Sequence, residues 1–254
     1  MIDISYRAAL ITGAGQRIGR EIALDLAKLG LSVAVHFHGS SEGANAVIDE
    51  ITSAGGTAVA VGTDLRDEQA VKSLIVEASK LLGSPIDVLV NNASVFEHDT
   101  LQSFTTESWD RHHKVNLLAP LLLTQIFAEK LQENERGAVV NIIDQRVLKL
   151  NPQYMSYTTS KAALWTATKT AAQALAPNIR VNAVGPGPTL PNINQSAQDF
   201  ADEVAAVPLG CGPSLREISR AVRFILETPA MTGQMIALDG GQHLAWRTAD
   251  IFEV

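Results

Sequence analysis

The chain has 254 residues, 46% of them hydrophobic, enough for one large α/β domain with a sizeable core. Its formal net charge of -7 favours solubility and argues against a polyanion as the main partner, and no apolar run approaches the ~20 residues that span a bilayer. The start MIDISYRAALITG lacks a signal peptide's basic-then-apolar layout, and a lone Cys211 excludes an intramolecular disulfide, so a cytoplasmic location is expected.

In chain order, RAALIT (7–12), SVAVHF (32–37), TAVAVG (57–62), IDVLVN (86–91), AVVNII (138–143), IRVNAV (179–184) and GQMIAL (233–238) read as strands. Most are continuous apolar runs, as expected of parallel strands covered on both faces. Between them lie amphipathic stretches: Ile18, Ile22, Leu26 and Leu29 make one helical stripe, and Val71, Leu74, Ile75 and Ala78 another. There is no linker, repeat or low-complexity tract. The pattern predicts a single α/β domain over 1–254, a Rossmann-type doubly wound parallel sheet of about seven strands with helices on both faces. Ligands of such sheets bind beyond the carboxyl ends of the strands.

The first strand runs into TGAGQRIG, whose Gly13, Gly15 and Gly19 follow a G-x-G-x-x-x-G spacing and open the first helix. Such a turn lets backbone approach a pyrophosphate, and the helix N-terminus adds free N–H groups and partial positive charge. The second strand ends VAVHFHGSSEG. An NAD site would place an acid here for the ribose 2′-hydroxyl; this chain offers His36, His38, Ser40 and Ser41, with Arg17 in the glycine turn, donors that suit the 2′-phosphate of NADPH. The histidines also finish a strand and Ser40 or Ser41 also suits a helix cap; both readings can hold at once. In TDLRD, Asp64 is placed to bind an adenine amino group, while Asp67 reads as a helix N-cap. The fourth strand ends VNNASVFEHD, where the amides of Asn91 and Asn92 can bind backbone and cofactor together.

The fifth strand ends on a charge, in GAVVNIIDQRVLKL: Asp144 is either a catalytic group at a sheet end or a solvated strand end paired with Arg146. Tyr157 and Lys161 are four apart on the next helix and share one face. A lysine beside a tyrosine favours phenolate and lowers the phenol pKa, and the phenol can pass a proton while a cofactor passes hydride. Tyr154 has Thr158, not a lysine, four residues on, so it is no member of such a pair. After the sixth strand, GPGPTLPNINQSAQDFADEV opens a segment over about 188–210 that is expected to cover the substrate; Asn192, Asn194 and Gln195 suit a polar heterocycle or plain solvation. His112 and His113 lack a third ligand at metal-like spacing and read as helix-surface residues, so no metal site is expected. Cys211 lies in LGCGP, a poor setting for a catalytic thiol.

The motifs TGAGQRIG, NNAS, KVN with Asn116, YTTSK, RVNAVGPG and DGG fall in the order of the short-chain dehydrogenase/reductases, which the chain resembles from about Arg7 to Gly241. The resemblance implies Tyr157 as proton donor, Lys161 as its partner and Asn116 as anchor of a proton relay. It implies cofactor contacts from Gly13, Gly15, Ile18 and Gly19 in the turn, from Asn92 and Ala93 after the fourth strand, from Tyr157 and Lys161, and from Gly185, Pro186, Gly187 and Thr189 near the nicotinamide. Two positions depart from the family: Asp144 replaces a serine thirteen residues before the tyrosine, and Arg17 replaces a glycine. Both, with HFHGS and NNASVF, resemble the pteridine reductases, an Asp-Tyr-Lys type that uses NADPH to reduce pterins and sometimes folates. That likeness implies Arg17, His38 and Ser40 around the 2′-phosphate, Phe96 stacked on a pterin and Ser94 in the same pocket. Gly39 stands where the related sequences often have arginine. The expected function is NADPH-dependent reduction of a C=N bond in a pterin-type small molecule. A ketone reductase of the same family and a non-catalytic NADP sensor are the alternatives. A homotetramer is implied, with VNLLAPLLLTQIFAEKL and KAALWTATKTAAQALA at the subunit interface and Trp246 or Arg247 as candidates to reach a neighbour's pocket.

Overall fold

The structure, a computed structural model, describes residues 6–132, 135–192 and 195–246. Seven strands, β1 (Ala8–Ile11), β2 (Ser32–Phe37), β3 (Ala58–Gly62), β4 (Val88–Asn91), β5 (Gly137–Ile142), β6 (Ile179–Pro186) and β7 (Met235–Leu238), form one parallel sheet in the order β3-β2-β1-β4-β5-β6-β7. Each predicted strand is present, with boundaries moved by at most two residues at either end.

Alternate residues of these strands feed two cores, because side chains alternate across a sheet. Ala9, Ile11, Val33 and Val35 pack under α1 (Arg17–Lys28), α2 (Glu42–Ser53) and α8 (Leu215–Glu227), through Ile22, Leu26, Val47, Ile51, Val222 and Ile225. Ala8, Leu10 and Ala34 face α3 (Glu68–Leu82) and α5 (Ala119–Lys130), through Val71, Leu74, Ile75, Leu123 and Phe127. Having helices on both faces explains why the strands lack polar alternation. Asp67 caps α3 as predicted, accepting the N–H groups of Gln69 and Ala70.

The chain starts in mid-sheet at β1, winds outward to β3, then crosses to β4 and winds the other way. The carboxyl ends of β1 and β4 therefore diverge, leaving a crevice where the order reverses. α4 (Thr106–His113) leads through a π-helical turn (Lys114–Leu118) into α5, and α6 (Met155–Leu175) follows β5. The predicted covering segment contains α7 (Ala197–Ala205), opened by a capping box between Ser196 and Asp199. No helix among the described residues is long and apolar enough to cross a membrane.

Candidate active site at the carboxyl end of the sheet

The glycine turn is fixed from three sides. Gly13 has a left-handed φ of 63°, and its N–H donates to Nδ1 of His36 at 3.0 Å. The opposite nitrogen, Nε2, faces the Thr63 carbonyl at 3.0 Å, so Nε2 carries the proton and His36 is a neutral bridge between β2, β3 and the turn. Burial holds its pKa down to about 4. From the other side, the Asn92 amide donates to the carbonyls of Thr12 (2.8 Å) and Gly13 (3.1 Å), and the Thr12 hydroxyl accepts the N–H groups of Asn92 and Ala93. A Cβ on Gly19 would collide with the Gly13 carbonyl and the Asn92 amide, which explains the third glycine. Gln16, at the N-cap of α1, makes no side-chain capping bond, and the first turn holds no acid. The helix N–H groups beyond Gly13 and Gly15 are thus left to an anionic ligand, so this cradle fits a dinucleotide diphosphate.

Around the end of β2 the outcome is mixed. His36 is buried and engaged, so it does not serve as a phosphate donor, a correction to its inclusion among the donors. His38 and Ser40 are exposed on the rim; the Ser40 hydroxyl accepts the Glu42 N–H, an ordinary helix-start contact. Asp64 is gripped by Arg66, whose Nε and Nη2 reach its carboxylate at 3.0 and 2.7 Å and hold its pKa down to about 2. Arg17 adopts a left-handed φ of 54°, strained for a residue with a side chain. Its guanidinium donates to the carbonyls of Leu190 (3.2 Å) and Pro191 (3.0 Å), so it faces the segment after β6. That is a different engagement from the 2′-phosphate contact implied by resemblance.

The chemical centre lies across the crevice. β5 carries the chain to Asp144, which caps a 3-10 turn (Gln145–Val147): Oδ1 accepts the Arg146 backbone N–H at 2.8 Å. Oδ2 accepts the Tyr157 hydroxyl at 2.8 Å. Arg146 thus meets the carboxylate through its backbone, while its guanidinium lies over the Tyr154 ring, 4.9 Å from the centroid. Asp144 is no solvated strand end. Burial raises its pKa, against the opposing pull of Arg146, Tyr157 and Lys161. Tyr157 is pushed well above its ordinary 10.0, by burial first and by Asp144 next. The expectation that Lys161 would lower the phenol pKa is corrected here: Asp144 is the nearer charge and acts in the opposite sense. Lys161 is buried, donates to the Ile142 carbonyl at 2.8 Å, and burial brings its pKa down to about 8.

Asn116, in the π-helical turn, accepts the Val95 N–H (2.8 Å) and donates to the Val95 carbonyl and the Ser160 hydroxyl. Ser94 donates to the same amide oxygen at 3.2 Å. Phe96 is 37% exposed, stacks on Tyr154 at 4.3 Å between centroids, and meets Tyr157 nearly at right angles at 4.6 Å. Sequence reasoning missed Tyr154 in this role. It also placed His112 on the helix surface, whereas His112 is fully buried; it accepts the Glu97 N–H through Nε2 and donates to the Ser108 carbonyl through Nδ1. The signal available was its i−4 spacing from Asn116 on the same face.

Gly187 packs so tightly on Asp239 that a Cβ would clash with it, and the Thr189 hydroxyl donates to the Gly187 carbonyl. Asn91 bonds Asn141 of the neighbouring strand inside the sheet, so of the two asparagines only Asn92 faces the turn. Gln195 is engaged by Glu203 at 2.8 Å; Asn194 and Arg247 lie outside the described residues. Trp246 and Cys211 are exposed, and no cluster of metal-ligating residues exists among the described residues.

The short chain dehydrogenase family model matches residues 7–202. Among solved structures, FolM Alternative dihydrofolate reductase 1 from Brucella canis, complexed with NADP, is 48% identical with a TM-score of 0.94, over 99% of this chain and 100% of that one. The same-named protein of Brucella suis, also with NADP, is 49% identical with the same score and coverage. A 3-oxoacyl-[acyl-carrier-protein] reductase FabG of Staphylococcus aureus is 34% identical over 243 residues, 94% of this chain and 98% of that protein.

Proposed function

From the premise that the chain belongs to the short-chain dehydrogenase family and is an NADP-dependent oxidoreductase, we propose that it reduces pterin-type substrates, dihydropterins or dihydrofolate, at a C=N bond. The observation that carries the proposal is the 2.8 Å bond between Tyr157 and Asp144, at the position where the family resemblance implies a serine. An ionised carboxylate cannot donate to a ketone oxygen, whereas a pterin nitrogen needs a proton and the ring offers N–H donors to a carboxylate. The similarity to the two FolM proteins supports the same reading.

When bound, NADPH supplies the hydride. The residues to hold it are Gly13, Gly15, Ile18 and Gly19 with the α1 amides at the diphosphate, Asn92 and Ala93 beside the turn, Asp64 at the adenine, His38 and Ser40 at the 2′-phosphate side, and Gly187 and Thr189 with Lys161 and Tyr157 toward the nicotinamide. Burial raises the pKa of Asp144, against the opposing pull of Arg146, Tyr157 and Lys161. Tyr157 passes its phenol proton to the substrate nitrogen, and the Asp144 carboxylate, which accepts that hydroxyl in the resting site, accepts an N–H of the ring. Hydride and proton thus add across one C=N bond, and the pair is left one proton short, to be restored from solvent. Lys161 keeps a positive charge beside the developing phenolate, and Asn116 holds the segment with Ser94 and Phe96 against the pocket. The segment over 188–210 covers the substrate, and the subunits form a cytoplasmic homotetramer through α5 and α6.

Turnover of dihydrobiopterin and dihydrofolate by the wild type, lost in Tyr157→Phe, is the expected result; failure with every pterin sinks the substrate assignment. The similarity to FabG supports a second reading, reduction of a 3-oxoacyl ketone, which the same assay tests with a 3-oxoacyl thioester.

A further inference from the structure

Phe96 belongs to no helix or strand, yet the chain on either side of it is held by buried side chains. On one side Asn116 brackets Val95 through both its N–H and its carbonyl, as described above. On the other, the Glu97 N–H donates to Nε2 of His112 at 3.2 Å. His112 and Asn116 stand four residues apart and both are fully buried, so one helix face grips both neighbours of Phe96. The tautomer is set from behind: Nδ1–H donates to the Ser108 carbonyl at 2.8 Å, which leaves Nε2 a lone pair for the Glu97 N–H.

Two residues further on, Asp99 does the same for the other ring of the stack. Its carbonyl accepts the Tyr154 N–H at 2.7 Å, and its Oδ1 accepts the Ser156 N–H in the first turn of α6 at 3.1 Å. Tyr154 itself makes no side-chain cap, so Asp99 is a remote N-cap for the helix that carries Tyr157 and Lys161. It also holds Tyr154 at a left-handed φ of 58°, the conformation that lays its ring on Phe96 with 9° between planes. The Ser108 hydroxyl lies 3.5 Å from Asp99 Oδ2 and 3.4 Å from His112 Nδ1, joining the two supports.

We propose that His112 and Asp99 are positioning residues that hold the Phe96–Tyr154 stack as an aromatic wall at Tyr157, and so set the preference for a flat ring. The inference rests on the reading of the substrate as a pterin-type heterocycle. A buried histidine that merely satisfied the core would bond only within its own helix; His112 bonds Ser108 there and spends its only acceptor on the segment that presents Phe96.

The test compares His112→Leu, which has no acceptor, with His112→Gln, whose amide oxygen can still receive the Glu97 N–H. In His112→Leu the 94–99 amides exchange faster, and KM for dihydrobiopterin rises about tenfold while kcat stays within about twofold, as loss of one buried hydrogen bond predicts. NADPH affinity, read by fluorescence titration, is unchanged, and His112→Gln restores both exchange and KM. Asp99→Leu moves KM and kcat together, because it also displaces the start of α6. Wild-type exchange rates in His112→Leu, or an equal fall of kcat and kcat/KM that glutamine does not rescue, would overturn the proposal. If the wild type turns over no pterin, the substrate reading fails alone, and the exchange comparison still decides whether His112 holds the wall.

Discussion

Replacing Asp144 by asparagine separates chemistry from stability. The carboxylate accepts two bonds of 2.8 Å, from Tyr157 and from the Arg146 N–H, and burial is the largest influence on its pKa. Asparagine keeps the shape and one acceptor but cannot carry a charge. Losing the charge-assisted bond to Tyr157 and the ionised acceptor for a ring N–H lowers kcat by about a hundredfold, the lower range for a general acid–base group. Stability moves the other way. The folded-state pKa of Asp144 is raised above its unfolded 3.8, so its contribution is most favourable below that value and is lost as pH rises through the folded pKa. At neutral pH the asparagine variant therefore melts no lower than the wild type. NADPH oxidation with dihydrobiopterin gives the first quantity and thermal denaturation the second. A variant that keeps kcat within about threefold, or that is destabilised without catalytic loss, would refute the assigned role of the pair.

The alkaline limb of kcat/KM, which reports the free enzyme, is expected near pH 8, where Lys161 loses its charge; Lys161→Arg, if folded, moves that limb upward, and an unmoved limb assigns it elsewhere. For His36 the folded pKa of about 4 lies below the ordinary 6.5, so the unfolded chain binds the extra proton between those values and stability falls as pH drops through them. The gap corresponds to about 3 kcal/mol, and urea titrations of His36→Gln should show a flatter dependence over that window; an unchanged slope contradicts the buried neutral bridge. Arg17→Gly removes a strained backbone of about 1 kcal/mol together with the bonds to Leu190 and Pro191. It should melt at the same or a higher temperature while the Thr189, Leu190 and Asn192 amides exchange faster, and unchanged or slower exchange would show that Arg17 does not tether the segment.

Most of the fold was legible because each β-run is continuously apolar and each helix carries a stripe, as Val71, Leu74, Ile75 and Ala78 show by being buried together under the sheet. Asp144, Tyr157 and Lys161 were legible as a set because a strand end, a helical spacing and a family pattern converge on them. The supports were not. His36 reaches Gly13 across 23 residues, His112 reaches Glu97 across 15, and Asp99 reaches Ser156 across 57. No local periodicity reveals such a bond, since a buried histidine with two partners and a surface histidine look alike in sequence. The phenol pKa was misjudged for a related reason. Spacing on one helix placed Lys161 beside Tyr157, but burial and Asp144, which arrives from β5, push the phenol upward.

The central claim is that the Asp144–Tyr157 pair serves a nitrogen heterocycle. The most direct measurement is kcat/KM, with NADPH, for dihydrobiopterin against a 3-oxoacyl thioester, in the wild type and in Asp144→Ser. A wild-type preference for the pterin that falls or reverses in the serine variant is the predicted result. A wild type that reduces the thioester and leaves the pterin untouched would contradict it.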